Sequence, residues 1–344
     1  MTRRGSRYRL DLALQGGGAH GAFTWGVLDR LLDDERIGIE AVSGASAGAM
    51  NAVVLLDGLA AGGRKGAREA LREFWSRVAR AASGSAAASA LFADGGWVGA
   101  PMRWTLEWMG RFLGPTHFNP LDVNPLRDIV ASVVDFDRLR ATAGPGLFVS
   151  ATNVHTGRLR EFRRPEVTLD VVMASACLPM LFRAVTIEGE AYWDGGYLGN
   201  PSLLPLITES PAHDLLLVQI NPSRRDAVPT TAAAIVDRVN EITFNASLVR
   251  ELRTIALLQQ VLEEDPVLPA GSPGRLFDQV AGLRLHRIDG GDLLAGFGVA
   301  TQLQAGWPFV QRLHRLGFRA ADDWLAGPAA HLGRRSSLDL SAYL

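Results

Sequence analysis

An α/β protein is what the sequence predicts: a largely parallel central sheet flanked by helices in three layers, extended by a mostly helical C-terminal elaboration. Three observations carry the prediction. Twice before residue 60, a short apolar run ends in glycine and passes into apolar residues at helical spacing. Further on, two pairs of strand-like runs flank short polar turns, and an isolated apolar run, Leu215 to Ile220, has the composition of a strand buried on both faces. Repeated strand–helix units build parallel sheets covered by helices, with working residues at the carboxyl ends of the strands.

Tyr8 to Gln15 reads as the first strand; the glycines at 16, 17 and 18 end it, and Phe23, Val27, Leu28, Leu31 and Leu32 follow at helical spacing. Ile37 to Ser43 is the second strand, turned by Gly44-Ala45-Ser46-Ala47-Gly48 into a helix through Met50, Val53, Val54 and Leu56. Lys65 to Ala82 continues as helix, and the small residues from Ala82 to Ala90 read as a connection. Leu91 to Leu113 is unusually aromatic. Asn124-Pro125 has the form of a helix start, a capping Asn with Pro in the first turn, leading into Leu126 to Val134. Leu147–Val154 with Leu159–Phe162, and Ala184–Ile187 with Ala191–Trp193, read as β-hairpins. Thr231 to Leu262 is a long helical pattern that either wraps a sheet edge or forms a homodimer contact. Arg284 to Ile288 reads as a strand. The chain after Leu325 is expected to be loose, with Arg334-Arg335-Ser336-Ser337 solvated. The implied organisation is a catalytic domain at 8–222, a helical elaboration at 223–326 and a tail at 327–344.

Composition narrows the function. Of 344 residues, 47% are apolar and 21% charged, within the ordinary globular range. Thirty-five basic residues balance thirty-six acidic ones, so no whole-protein field recruits nucleic acid or anionic lipid, and any lipid contact must be local and apolar. The single Cys177 excludes an internal disulfide and a Cys-rich zinc site. Residues 1–9 are basic, but the apolar run after them is too short for a signal-peptide core, and Ala45 to Ala61 falls short of the ~20 apolar residues that span a bilayer. The expectation is a cytoplasmic protein, with peripheral membrane contact left open.

Three motifs carry chemistry. Gly44 to Gly48 fits G-x-S-x-G, a sharp strand-to-helix turn whose small residues permit close packing and lift the Ser46 hydroxyl into the open, above a helix N-terminus that favours an oxyanion. Gln15-Gly16-Gly17-Gly18-Ala19-His20-Gly21, at the end of the first strand, has two uses. Its bare amides can line an oxyanion hole, or Gly16, Gly18 and Gly21 can form a dinucleotide loop, with Glu40 near the distance at which a ribose-binding acid stands. Asp194-Gly195-Gly196 places a carboxylate after an apolar strand. Burial among Tyr192, Trp193, Tyr197 and Leu198 would raise its pKa and make it a better base. General principles look instead for a histidine base; His286 is the best placed, since His213, His314 and His331 read as surface.

In this order the three motifs resemble the patatin-like phospholipases, and Ala174-Ser175-Ala176-Cys177-Leu178-Pro179 and Asn221-Pro222 look similar to bacterial members. The resemblance spans roughly Leu10 to Pro222. It implies a lipid acyl hydrolase acting on lipid or acyl esters through a Ser–Asp dyad. Ser46 would be the nucleophile, Asp194 the general base and the backbone of Gly16, Gly17 and Gly18 the oxyanion hole, supported by Gly44, Gly48, Gly195 and Gly196. Neither a metal nor an organic cofactor is implied. His20 departs from the family, which commonly carries Arg or Lys there; a backbone hydrogen bond or helix cap is its expected role. The aromatic segment Phe92–Phe112 is either a lid at the lipid interface or core.

Overall fold

The computed structural model describes residues 8–84, 119, 122–264, 274–294, 296–298, 301–302 and 304–344. The aromatic segment lies outside the described residues.

Its eight-stranded sheet runs β5 (Val185–Ile187), β6 (Glu190–Asp194), β3 (Gly146–Asn153), β2 (Ile37–Gly44), β1 (Tyr8–Leu14), β7 (Asp214–Gln219) and β8 (Arg284–Asp289), with β4 (Leu159–Arg163) also paired to β3. The strands from β3 through β8 along this order are parallel, whereas β4, β5 and β6 run antiparallel to their neighbours. Both expected hairpins form.

Alternating residues of the central strands face two cores. Leu10, Leu12, Leu14, Leu216 and Val218 point to one, packed by α1 (Gly21–Asp33) and α2 (Ala47–Gly84), which breaks at Gly62-Gly63. Three short helices follow: α3 (Pro125–Val133), capped by the Asn124 side chain, α4 (Phe136–Ala141) and α5 (Leu169–Ser175). Ala13, Leu215 and Leu217 point to the other core, packed by α6 (Leu204–Glu209), α7 (Ala232–Glu264) and α8 (Gly274–Gly282). The last helices are α9 (Gly291–Leu294) and α10 (Trp307–Ala326). Gly26 and Gly317 let α10 lie directly against α1: a methyl at either would strike the other helix's backbone. The outward side of α7 leaves Val236, Val239, Ile242, Val249 and Val261 exposed.

The C-terminal third therefore contributes an edge strand and helices on both faces of the sheet, α7 and α8 on one and α10 on the other. The tail differs from expectation. Ser337 and Leu338 donate backbone hydrogen bonds to the Leu285 carbonyl, and the Leu285 amide donates to Ser336 Oγ at 3.0 Å. An edge strand exposes unpaired backbone groups, and here the tail satisfies them, which a reading by composition misses. No helix among the described residues is long and apolar enough to cross a membrane.

Candidate active site

Ser46 sits where β2 turns into α2, with a φ of 54°. A non-glycine residue keeps that left-handed conformation only where its surroundings hold it. Here the Ser46 amide donates to both the backbone carbonyl of Ser175 (3.1 Å) and its Oγ (3.0 Å). Gly48 admits the close approach of β1, since a methyl there would collide with the Leu14 carbonyl, and one on Gly44 would meet Gly48 at 2.6 Å.

The sheet brings Asp194 to this turn. β4 occupies one edge of β3 from Phe148 to Thr152, so β2 and β6 must share the other: Gly44 pairs with Val149, and Asp194 with Ala151. Two residues along a strand span about 7 Å. The antiparallel β6 thus takes up the lane that β2 vacates at the elbow and brings Asp194, 148 positions on in sequence, near enough for the Ser46 hydroxyl to act on its carboxyl.

Asp194 is fully buried. Burial raises its pKa from 3.8 to about 7; a 2.7 Å hydrogen bond from the Gly196 amide to Oδ1 and the nearby Ser46 hydroxyl pull it back down. Oδ2 has no hydrogen-bond partner among the described residues. The hydroxyl is thus near enough to favour the ionised carboxylate without closing a hydrogen bond of ordinary geometry on Oδ2. Gly195, packed on the Ser150 backbone, turns the chain away from the carboxylate.

The glycine loop lies against the elbow: a methyl on Gly16 would meet the Ala45 carbonyl oxygen at 2.6 Å and Ser46 Cβ at 2.7 Å. Gly16 itself departs from the expected cradle. Its amide donates to Asn200 Oδ1 (2.7 Å) and its carbonyl accepts from Asn221 Nδ2 (2.8 Å), so it has no free donor. The Gly17 and Gly18 amides, by contrast, meet no acceptor among the described residues.

His20 stands at the N-cap position of α1, but its ring neither caps the helix nor bonds backbone; Nε2 pairs with Thr301 Oγ1 at 2.7 Å. Burial pushes its pKa down to about 4, so at neutral pH the imidazole is uncharged. His286 is remote from the elbow in its bonding, held between Asp214 (3.0 Å) and Ser337 (2.9 Å). His314 is half-buried and pairs with Asp29 at 3.0 Å. No described imidazole bonds Ser46 or Asp194. Glu40, the acid a dinucleotide site would need, sits in a β-bulge between β1 and β2 and pairs with Arg9 at 2.6 Å. The buried Cys177 thiol is pushed up to about 12, chiefly by burial, and is inert. Among the described residues no group of three or more His, Cys, Asp or Glu could hold a metal ion.

Sequence reasoning missed the residues that hold these parts in place. Ser175 and Asn221 lay in stretches singled out without a role, and Gln15 was legible as a polar residue closing an apolar strand. Asn245, mid-helix, carried no signal.

The structure thus sets a serine in a strained turn close to a buried carboxylate on a three-layer α/β sheet. The patatin-like phospholipase family model matches residues 12–207. The chain belongs to the patatin-like phospholipase family and is, in that general sense, a lipid acyl hydrolase. The crystal structure of VipD from Legionella pneumophila is similar at 16% identity, covering 90% of this chain and 67% of that one, with a TM-score of 0.36. No curated protein matches.

Proposed function

We propose that the protein hydrolyses acyl esters of lipids through a Ser46–Asp194 dyad. Ser46 Oγ attacks the ester carbonyl while Asp194 accepts its proton, and the Gly17 and Gly18 amides hold the oxyanion. The C–O bond to the leaving alcohol breaks as Asp194 returns the proton to it. Water then attacks the acyl-enzyme, Asp194 takes a proton from it, and the fatty acid leaves as Ser46 is reprotonated. The observation that carries this reading is a buried carboxylate with one oxygen unpartnered, raised in basicity by burial, beside a serine in a strained turn. A carboxylate at its ordinary pKa is a weak base for a hydroxyl; one near 7 is matched to neutral pH.

The lipid assignment draws further support from Met180 and Leu181, exposed on the loop after Cys177, whose carbonyl accepts the Asp194 amide at 2.9 Å. They offer an apolar rim to an acyl chain or a lipid surface. We place the enzyme in the cytoplasm, in peripheral contact with lipid.

Turnover of a fluorogenic acyl ester should vanish in Ser46→Ala and in Asp194→Asn, and a fluorophosphonate should label Ser46. Retained turnover in either variant would falsify the dyad.

A further inference from the structure

Gln15 is completely buried at the mouth of the glycine loop. Its carboxamide uses every hydrogen-bonding position it has. Oε1 accepts from the amides of Ile220 (2.9 Å) and Asn221 (2.8 Å), and Nε2 donates to the Asn200 carbonyl (3.3 Å) and to Asn245 Oδ1 (2.8 Å). Asn245, on α7, is also buried, and its Nδ2 donates to the Pro222 carbonyl at 3.0 Å.

The two residues that clamp Gly16 from either side belong to the same lattice: Asn200 holds its amide and Asn221 its carbonyl. Asn200 closes the loop that begins at Asp194, and its own Nδ2 reaches the Phe244 carbonyl of α7 at 3.4 Å. Buried amides in a fully satisfied network fix one geometry, because any displacement leaves a donor or acceptor unpaired in a dry interior. Three segments are locked by it to α7: the glycine loop, the Asp194 loop and the exit of β7.

We infer that Asn245 is a positioning residue for the hydrolytic site: through Gln15 it holds the glycine loop at the distance from Ser46 that oxyanion stabilisation requires. The inference rests on the dyad reading above. It gives the C-terminal third, outside the matched residues 12–207, a part in turnover. The Asn245 side chain hydrogen-bonds Gln15, Asn221 and Pro222, and neither Ser46 nor Asp194. Its loss should therefore weaken the transition state without changing ester binding or the titration of the base.

The test uses the full chain and a short-chain p-nitrophenyl ester, with kcat, KM, the pH midpoint of kcat/KM and Tm measured for each variant. Asn245→Ala should lower kcat about tenfold to a hundredfold, the scale of a displaced catalytic group, with KM within twofold and the pH midpoint unmoved. Gln15→Ala should do the same, and the double variant should lose no more than the worse single one. Val249→Ala, on the exposed side of the same helix, should match the parent. Wild-type kcat in folded Asn245→Ala overturns the inference, as does a loss that is fully additive with Gln15→Ala. If Asn245→Ala is not recovered folded, Asn245→Ser is judged by the same criteria. Ser46→Ala, run alongside, separates the two readings. If it is inactive while Asn245→Ala is unimpaired, only the positioning role fails; if it turns over, the dyad fails and the positioning role with it.

Discussion

Titrating Asp194 tests the proposed dyad most directly. Removal from water disfavours the ionised carboxylate and raises Asp194 to about 7, against the partial opposition of the Gly196 amide and the Ser46 hydroxyl. A protonated Asp194 cannot take the Ser46 proton, so the proposed mechanism requires kcat/KM to rise with pH. With a midpoint near 7, about 1% of the enzyme is competent at pH 5 and about 90% at pH 8, a tenfold gain per unit on the acid limb. Initial rates on a neutral p-nitrophenyl ester at concentrations well below KM, from pH 4.5 to 9, measure it. Phe244 supplies a second arm: its ring packs on Tyr197 at 5.2 Å, and a methyl on Gly196 would meet it at 2.8 Å. Phe244→Ala should admit water and move the midpoint acidward by about one unit. The shift also has a thermodynamic face. The folded state holds this proton more tightly than the unfolded chain, so the group's contribution to stability is complete below 3.8 and is lost as pH rises through about 7. Asp11, raised to about 8 by burial, acts in the same direction. Activity should climb while Tm declines over the same interval. A kcat/KM that is flat from pH 5.5 upward, or a midpoint near 4, would refute the reasoning, because it would mean that the base is hydrated.

Two further outcomes are expected. Gly48→Ala, which drives a methyl into the Leu14 carbonyl, should destabilise the protein by at least about 3 kcal/mol and abolish turnover; a variant with parental Tm and rate would show that the elbow tolerates β1 at greater distance. His286→Ala removes the link from Asp214 to Ser337 and should lower Tm by roughly 3–4 °C, from about 2–3 kcal/mol. Its kcat should hold within twofold, because Asp214 opens β7 at the end of the strand opposite the site; unaltered melting would mean that the docked tail adds no stability.

The strand–helix units, both hairpins, the Asn124 cap and the long α7 were legible because each is written in local periodicity and turn chemistry. The tail was not. Gly333 to Ser337 has the composition of a solvated segment, yet Gly333 donates to Asp214 at 3.0 Å and Ser336 to Ser337 satisfy the open edge of β8. The Gly16 amide escapes a local reading for a similar reason. A bare amide looks like a free donor until the partner that occupies it, Asn200, is known from elsewhere in the chain.

By itself, the sequence determined the chemical parts: a serine in a turn that small residues permit, a carboxylate before two glycines, and a run of glycines closing a strand. It also determined the alternating apolar pattern that gives the sheet two buried faces. Only the tertiary structure decided which parts meet and in what state. β6 enters the lane beside β3 that β2 leaves at Gly44, and this registers Asp194 against Ser46. Burial there, not any neighbouring charge, sets its basicity. Distant pairing and desolvation are sums over many residues, so no local stretch of the chain encodes them.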